Sequence, residues 1–208
     1  MKVAVIGATG KAGQRITAEL LQRGHRVLAV VRTPEKVPAT KGIEVAKSDL
    51  SDVAQLVDVL NGADAVVSAY GPPADDTDQI IGTTKRITEA VKRNKQRLVV
   101  VGGAASLFVA PGVTVLASGY LPEPYVPIAR SHEQVLKDLK TSGADWTNFS
   151  PAGLFEPGER TGKFRLGKDD LIADAGGNSR ISMEDYAIAA VDELERPQHR
   201  GERFTIGY

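Results

Sequence analysis

The sequence predicts an α/β fold: a doubly wound parallel sheet with helices on both faces and a small C-terminal lobe. Three observations carry that reading. Short runs of Val, Ala, Leu and Ile alternate with helix-period segments through the first two-thirds of the chain, as strands buried on both faces require. The first run leads into a glycine-rich turn, Gly7-Ala8-Thr9-Gly10-Lys11-Ala12-Gly13, that opens a helix. The alternation stops after Ser150, where residues 151–180 hold six glycines among many charges.

Taken in order, Lys2–Ile6 is the first strand and Lys11–Arg23 the first helix, with Ile16 and Leu20 on its apolar side and Gly24 as its stop. Arg26–Val31, Ile43–Lys47, Ala65–Ala69, Arg97–Gly102 and Asp145–Ser150 are the following strands, nearly continuous in apolar residues. Val53–Leu60 is helical, apolar at 53, 56, 57 and 60. Asp76–Arg93 opens on a capping box, Asp76-Thr77-Asp78-Gln79, and a further helix starts at a second box, Ser131-His132-Glu133-Gln134, and ends at Gly143. Residues 151–180 read as loops with a short strand near Lys163–Leu166. Ser182-Met183-Glu184-Asp185 then caps a helix running to about Glu195, and Arg203–Gly207 is the last strand. No repeat, low-complexity tract or linker divides the chain, so residues 1–208 read as one domain in which 151–208 form mostly the small lobe.

Composition narrows the functions. The 208 residues carry 26 basic and 26 acidic side chains, a zero formal charge that argues against a duplex nucleic-acid binder. With no cysteine, thiolate catalysis and disulfides are excluded. His25, His132 and His199 share no ligand spacing, so no metal is expected. No apolar run approaches a bilayer span, and Lys2–Ile6 is too short for a leader's core; the expectation is a cytoplasmic protein that acts on a small molecule. Nothing in the sequence calls for a homo-oligomer.

The glycine loop carries the chemistry. Its spacing is G-x-x-G-x-x-G. Gly7 permits a tight turn off the strand, Gly10 lets the backbone approach a ligand without a Cβ, and Gly13 lets the helix lie close to the strand. The first-turn amides, aided by the helix dipole, then face a diphosphate across Thr9, Lys11 and Ala12. This makes the fold Rossmann-type and the ligand a dinucleotide. No Gly-Lys-Ser/Thr ending is present, which removes phosphoryl transfer. The second strand ends in Arg32, where an NAD site carries an acid. A guanidinium there can fork onto a 2′-phosphate, so NADP is expected, with a solvated surface arginine as the alternative.

Together with Ser48-Asp49-Leu50, Val99-Val100-Val101-Gly102-Gly103-Ala104-Ala105-Ser106-Leu107, Ser150-Pro151-Ala152-Gly153, Arg160-Thr161-Gly162-Lys163-Phe164 and Ile181-Ser182-Met183-Glu184-Asp185-Tyr186-Ala187, these segments resemble the atypical, NmrA-like branch of the short-chain dehydrogenase/reductases. Within it the chain is most similar to the small NADH-flavin reductases that look like biliverdin reductase B. The resemblance spans nearly the whole chain. It implies that Asp49 and Leu50 flank the adenine and that Ala69, Tyr70 and Gly71 line the inner ribose. It also implies that Gly103 and Ala104, on to Ser106, lie beside the nicotinamide and that Pro151, Ala152 and Gly153 close over it. From the residues alone, Asp49 serves equally as a cap for the helix after Ser51, and Pro151 as the end of a strand.

The superfamily's usual Tyr and Lys, four residues apart, are missing. Tyr125 is the nearest candidate, but Ala129 stands in the lysine's place and Pro127 interrupts the turn. Direct hydride transfer to a flavin (FMN, FAD or riboflavin), a quinone or a tetrapyrrole tolerates this loss, because stacking the rings suffices. Ser106 and Tyr125 are the candidate catalytic residues. Their alternatives are a loop serine satisfied by backbone and a pocket wall, while His132, inside its capping box, is expected to face solvent. The same loss is compatible with a non-catalytic NADP-binding redox sensor, and it disfavours a sugar epimerase or dehydratase.

Overall fold

A strand such as Val3-Ala4-Val5-Ile6 has no polar face to offer water, so it is stable only between two layers. The computed structural model, which describes residues 1–208, provides them. Its elements are β1 (Lys2–Ile6), α1 (Lys11–Gln22), β2 (Arg26–Val31), β3 (Ile43–Lys47), α2 (Val53–Leu60), β4 (Ala65–Ser68), α3 (Gln79–Arg93) and β5 (Arg97–Val101). After them come β6 (Phe108–Ala110), β7 (Val113–Thr114), α4 (Val115–Ser118), α5 (Val126–Thr141), β8 (Asp145–Ser150), β9 (Leu154–Glu156), β10 (Arg165–Gly167), β11 (Arg180–Ser182), α6 (Met183–Glu195) and β12 (Glu202–Gly207).

Eight strands form one sheet in the order β10-β12-β8-β5-β4-β1-β2-β3, parallel throughout except for β10, which runs antiparallel to β12. The chain builds β2 and β3 on one side of β1 and then returns to build β4, β5, β8 and β12 on the other. Such a reversal leaves a crevice at the carboxyl ends of β1 and β4.

The two faces alternate residue by residue. Val3 and Val5 join Ile16 and Leu20 of α1 and Tyr186 and Val191 of α6 in one buried cluster. Ala4 and Ile6 join Leu56 of α2, Ile87 of α3 and Val135 of α5 in the other. Tyr186 is fully buried, its ring stacked on Phe149 at 4.0 Å and its hydroxyl donating to the Phe149 carbonyl at 2.7 Å. The buried phenol thus brings a partner for its one polar atom.

Several local expectations change. α3 begins at Gln79, and Asp76 binds the Gln79 side chain at 2.9 Å without capping the backbone. α5 begins at Val126, so Ser131 is not a cap; its hydroxyl donates to Asp78 Oδ1 at 2.7 Å and the Pro127 carbonyl at 3.0 Å. Pro127 opens this helix where it was expected to interrupt it, because a residue in the first turn has no intrahelical N–H bond to lose. The segment expected to be loops contains β9 and β11, a parallel pair of its own, and the short strand lies at Arg165–Gly167. Ser182 caps α6 as read from the sequence, accepting from the Asp185 amide at 3.0 Å.

α1 is locked onto β1 by an absent side chain. A Cβ on Gly13 would stand 2.1 Å from the Gly7 carbonyl oxygen, which no side chain tolerates, whereas one on Gly10 would stand 3.2 Å from the same atom. Gly13→Ala is therefore expected to cost about 2–3 kcal/mol of stability by overpacking, read as a lowered urea midpoint. Gly10→Ala should leave that midpoint close to wild type.

Candidate functional site

The turn after β1 sits at the crevice. Gly7 adopts φ +77°, and a Cβ there would meet the Ala69 carbonyl oxygen at 2.5 Å, so β1 and β4 leave this position only for glycine. Gly10 is the N-cap of α1 and supplies no side-chain cap. The amides of Lys11, Ala12 and Gly13 consequently have no acceptor within the protein. α2, by contrast, is capped by Asp52, which accepts from the Gln55 amide at 2.7 Å. Three uncompensated N–H dipoles at the positive end of a helix make a seat for an anion.

A groove of about 290 Å³ opens beside them. It is lined by Gly7, Thr9, Gly10 and Lys11 of the turn, by Val30, Val31 and Arg32 at the end of β2, by Ser48 and Leu50 beyond β3, and by Ala69, Tyr70 and Gly71 beyond β4. Nine residues expected from the sequence meet here: Gly7, Thr9, Gly10, Lys11, Arg32, Leu50, Ala69, Tyr70 and Gly71. Arg32 and Lys11 are exposed and neither pairs with a carboxylate, so both cations are available to a phosphate. Ala12 and Gly13 lie just behind, in the first turn of α1.

Asp49 lies outside the groove lining. Its exposed carboxylate accepts from the Ser51 hydroxyl at 2.6 Å and the Ser51 amide at 2.9 Å, bonds that hold its pKa below the usual carboxylate range. It is not the cap of the following helix; that role belongs to Asp52.

Gly103 and Ala104 follow β5, and Pro151, Ala152 and Gly153 follow β8. Since β5 lies between β4 and β8, these segments continue the same sheet edge beyond the groove. Pro151 and Ala152 are buried, and the Gly153 amide donates to Ser179 Oγ at 3.0 Å. Gly103 backs onto the ring of His132: a Cβ would stand 3.1 Å from His132 Cγ. His132 therefore packs its ring against Gly103 and is only partly exposed, where it was expected to face solvent. Its Nδ1 is shielded and without a partner, and burial pulls its pKa to about 4, so the imidazole is neutral at physiological pH. The Ser-x-x-Gln spacing imitated a helix start one turn inside the true one.

Ser106 is held by a side chain and not by backbone. Its carbonyl and its Oγ both accept from Arg203 Nη1, at 2.9 and 2.8 Å, while Arg203 Nε donates to Asp169 Oδ1 at 2.8 Å. Asp169 thus neutralises a guanidinium that is only 9% exposed. Tyr125 precedes α5 and is 60% exposed, with buried Ala129 one turn on. The structure brings neither Ser106 nor Tyr125 into the groove.

Residues 7–197 match the sequence profile of the NAD(P)H-binding family. The chain belongs to that family. The resemblance to the atypical, NmrA-like branch of the short-chain dehydrogenase/reductases holds. The chain is 40% identical over 211 residues to YwnB, an uncharacterized protein of Bacillus subtilis, covering 99% of this chain and 98% of that one. Among solved structures, a candidate epimerase from Bacteroides thetaiotaomicron is 46% identical, with a TM-score of 0.92 over 100% of this chain and 96% of the other. A candidate NADH-flavin reductase from Streptococcus pneumoniae is 35% identical, with a TM-score of 0.90 over 100% and 99%. The NAD(P)H-binding family and these neighbours make this an oxidoreductase-like, nicotinamide-nucleotide-binding fold. No helix is long and apolar enough to cross a membrane.

The enclosed Nδ1 of His132 has a thermodynamic consequence. In the unfolded chain His132 titrates near 6.5, and in the folded protein near 4. Between those values the unfolded state takes up a proton that the folded state refuses, so its contribution is intact above pH 6.5 and is lost as pH falls towards 4, to about 3 kcal/mol. His132→Gln is expected to reduce the drop in urea-unfolding free energy between pH 7.5 and 4.5, measured against wild type.

Proposed function

We propose that the protein is an NADPH-dependent reductase that passes hydride to a flavin or a comparable conjugated acceptor, a quinone or tetrapyrrole. One observation carries this reading: the chain keeps a groove with a free-amide anion seat, while Ala129 stands where the superfamily's Tyr–Lys pair has its lysine. Reduction of a ketone calls for an acid at the carbonyl oxygen, and a phenol without its lysine is poorly suited to that work. Reduction of a conjugated ring calls chiefly for alignment.

The bound nucleotide would supply the hydride; the chain supplies its placement. The free amides of Lys11, Ala12 and Gly13 would hold the diphosphate, Arg32 the 2′-phosphate, and Tyr70 and Gly71 the inner ribose. The segments of Gly103–Ala104 and Pro151–Gly153 would bracket the nicotinamide, with neutral His132 beneath Gly103. Exposed Tyr125 would serve as an aromatic wall for the acceptor.

A second reading rests on Ser106. Its hydroxyl oxygen accepts from Arg203, and neither Ser106 nor Tyr125 lines the groove. That favours an NADP-binding redox sensor without turnover. The missing lysine speaks against an epimerase.

Following NADPH absorbance in the presence of FMN, riboflavin or a quinone separates these readings. Turnover supports the reductase, and tight NADPH binding without turnover on any acceptor supports the sensor. Turnover only with a nucleotide sugar would restore the epimerase. Arg32→Glu is expected to weaken NADPH binding by roughly tenfold to a hundredfold, the value of a charge-assisted phosphate contact, with little change for NADH. Equal losses for the two nucleotides would remove Arg32 from phosphate recognition.

A further inference from the structure

Leu50 lines the nucleotide groove with a backbone that leucine does not choose. Its φ is +66°, a left-handed conformation in which the Cβ of an L-residue crowds the following carbonyl. Lys95 is the one other non-glycine residue with positive φ (+55°), and it sits just past the end of α3, where helices commonly finish this way. Leu50 ends no helix. It lies between β3 and α2, and its side chain is 5% exposed. A conformation of this kind persists only where the surroundings impose it.

Both polar atoms of Leu50 are pinned. Its amide donates to Ser48 Oγ at 3.1 Å, and the Ser48 hydroxyl in turn donates to Gln55 Oε1 on α2 at 2.9 Å. Its carbonyl accepts from Arg86 Nε on α3 at 2.7 Å. Arg86 is itself oriented, because its Nη2 donates to Thr83 Oγ1 at 3.1 Å. Gly82 keeps the space beside the guanidinium open: a Cβ there would stand 3.4 Å from Nη1. Ser48 and Leu50 line the groove, whereas Arg86 does not.

We infer that Arg86 is a positioning residue for the adenosine end of the nucleotide, acting through the Leu50 carbonyl. The hydrogen bond holds the peptide after Leu50 in the one orientation that keeps the leucine side chain inward as a wall of the groove and turns the neighbouring Asp49 carboxylate outward. Without it, Leu50 is free to relax to negative φ, which rotates the wall out of register with the ligand. This inference rests on the reading that the groove takes the adenosine half of the dinucleotide.

The test is calorimetric titration of 2′,5′-ADP and of NADPH into wild type, Arg86→Lys and Arg86→Ala, with a thermal melt of each. Arg86→Ala is expected to weaken both ligands by about tenfold, the scale of one charge-assisted hydrogen bond, and Arg86→Lys to recover part of the loss. Where an acceptor turns over, KM for NADPH should rise with kcat unchanged at saturation. If Arg86→Ala does not fold, Arg86→Gln, which keeps a donor without the charge, takes its place, with an expected loss of at least threefold. Affinity for 2′,5′-ADP within twofold of wild type in the folded alanine or glutamine variant overturns the inference, as does a fall in kcat at constant KM. Wild-type protein that binds neither ligand would instead overturn the placement of adenosine in the groove.

Discussion

The contact between Gly13 and the Gly7 carbonyl is the constraint on which the site depends. It sets how close α1 comes to β1, and that distance decides where the first-turn amides end up. A helix held one methyl group further out would point the same dipoles at solvent. Like α3 and α5, α1 has no side-chain cap, whereas α2 and α6 do. A Ser or Asp at Gly10 would satisfy the amides internally and close the anion seat, so local helix stability is given up for an external ligand.

Around that seat the two halves of the site are built differently. On the proposed reading, the adenosine half is a groove between adjoining loops, walled by Leu50, whose amide donates to Ser48 and whose carbonyl accepts from Arg86. On the same reading, the acceptor half would lie along the ends of β5 and β8, which are fixed from below. There Arg203, on the penultimate stretch of the chain, binds Ser106 and Asp169 at once, so the C-terminal strand sets the path of the loop leaving β5. A buried guanidinium with a single carboxylate partner is costly to break and tolerates little relocation of either loop. The lobe is secured to the nucleotide side as well: Arg160 makes two hydrogen bonds to Glu19 on α1, each 2.9 Å, and Glu184 accepts from both Arg15 and the Gly158 amide.

Most of the fold was legible in the sequence because it is written locally. Buried parallel strands show as apolar runs, and the glycines at 7 and 13 are visible in the sequence, Gly13 because of a contact inside its own turn and Gly7 because β4 crowds it. The features that escaped are those made between distant segments. Leu50 was read as flanking adenine, but its left-handed backbone depends on Arg86, 36 residues away, and Ser106 depends on Arg203, 97 residues away. His132 was misread for a different reason. Serine at 131 and glutamine at 134 have the spacing of a helix start, and only Pro127 at the true first turn signalled the earlier beginning. β9 and β11 escaped because strands of three residues carry too little alternation to stand out against glycine and charge.

The pairing of α1 with α6 has a bearing on how the protein is made. α1 exposes Ile16 and Leu20 as soon as it forms, yet the helix that helps to cover them spans Met183–Glu195 near the far terminus. Until α6 is made, α1 packs on β1 and β2 but lacks its helix partner, so part of its apolar stripe stays exposed while about 160 further residues are synthesised. Shielding by a chaperone during translation would then matter more for this chain than for one whose neighbours in space are neighbours in order of synthesis.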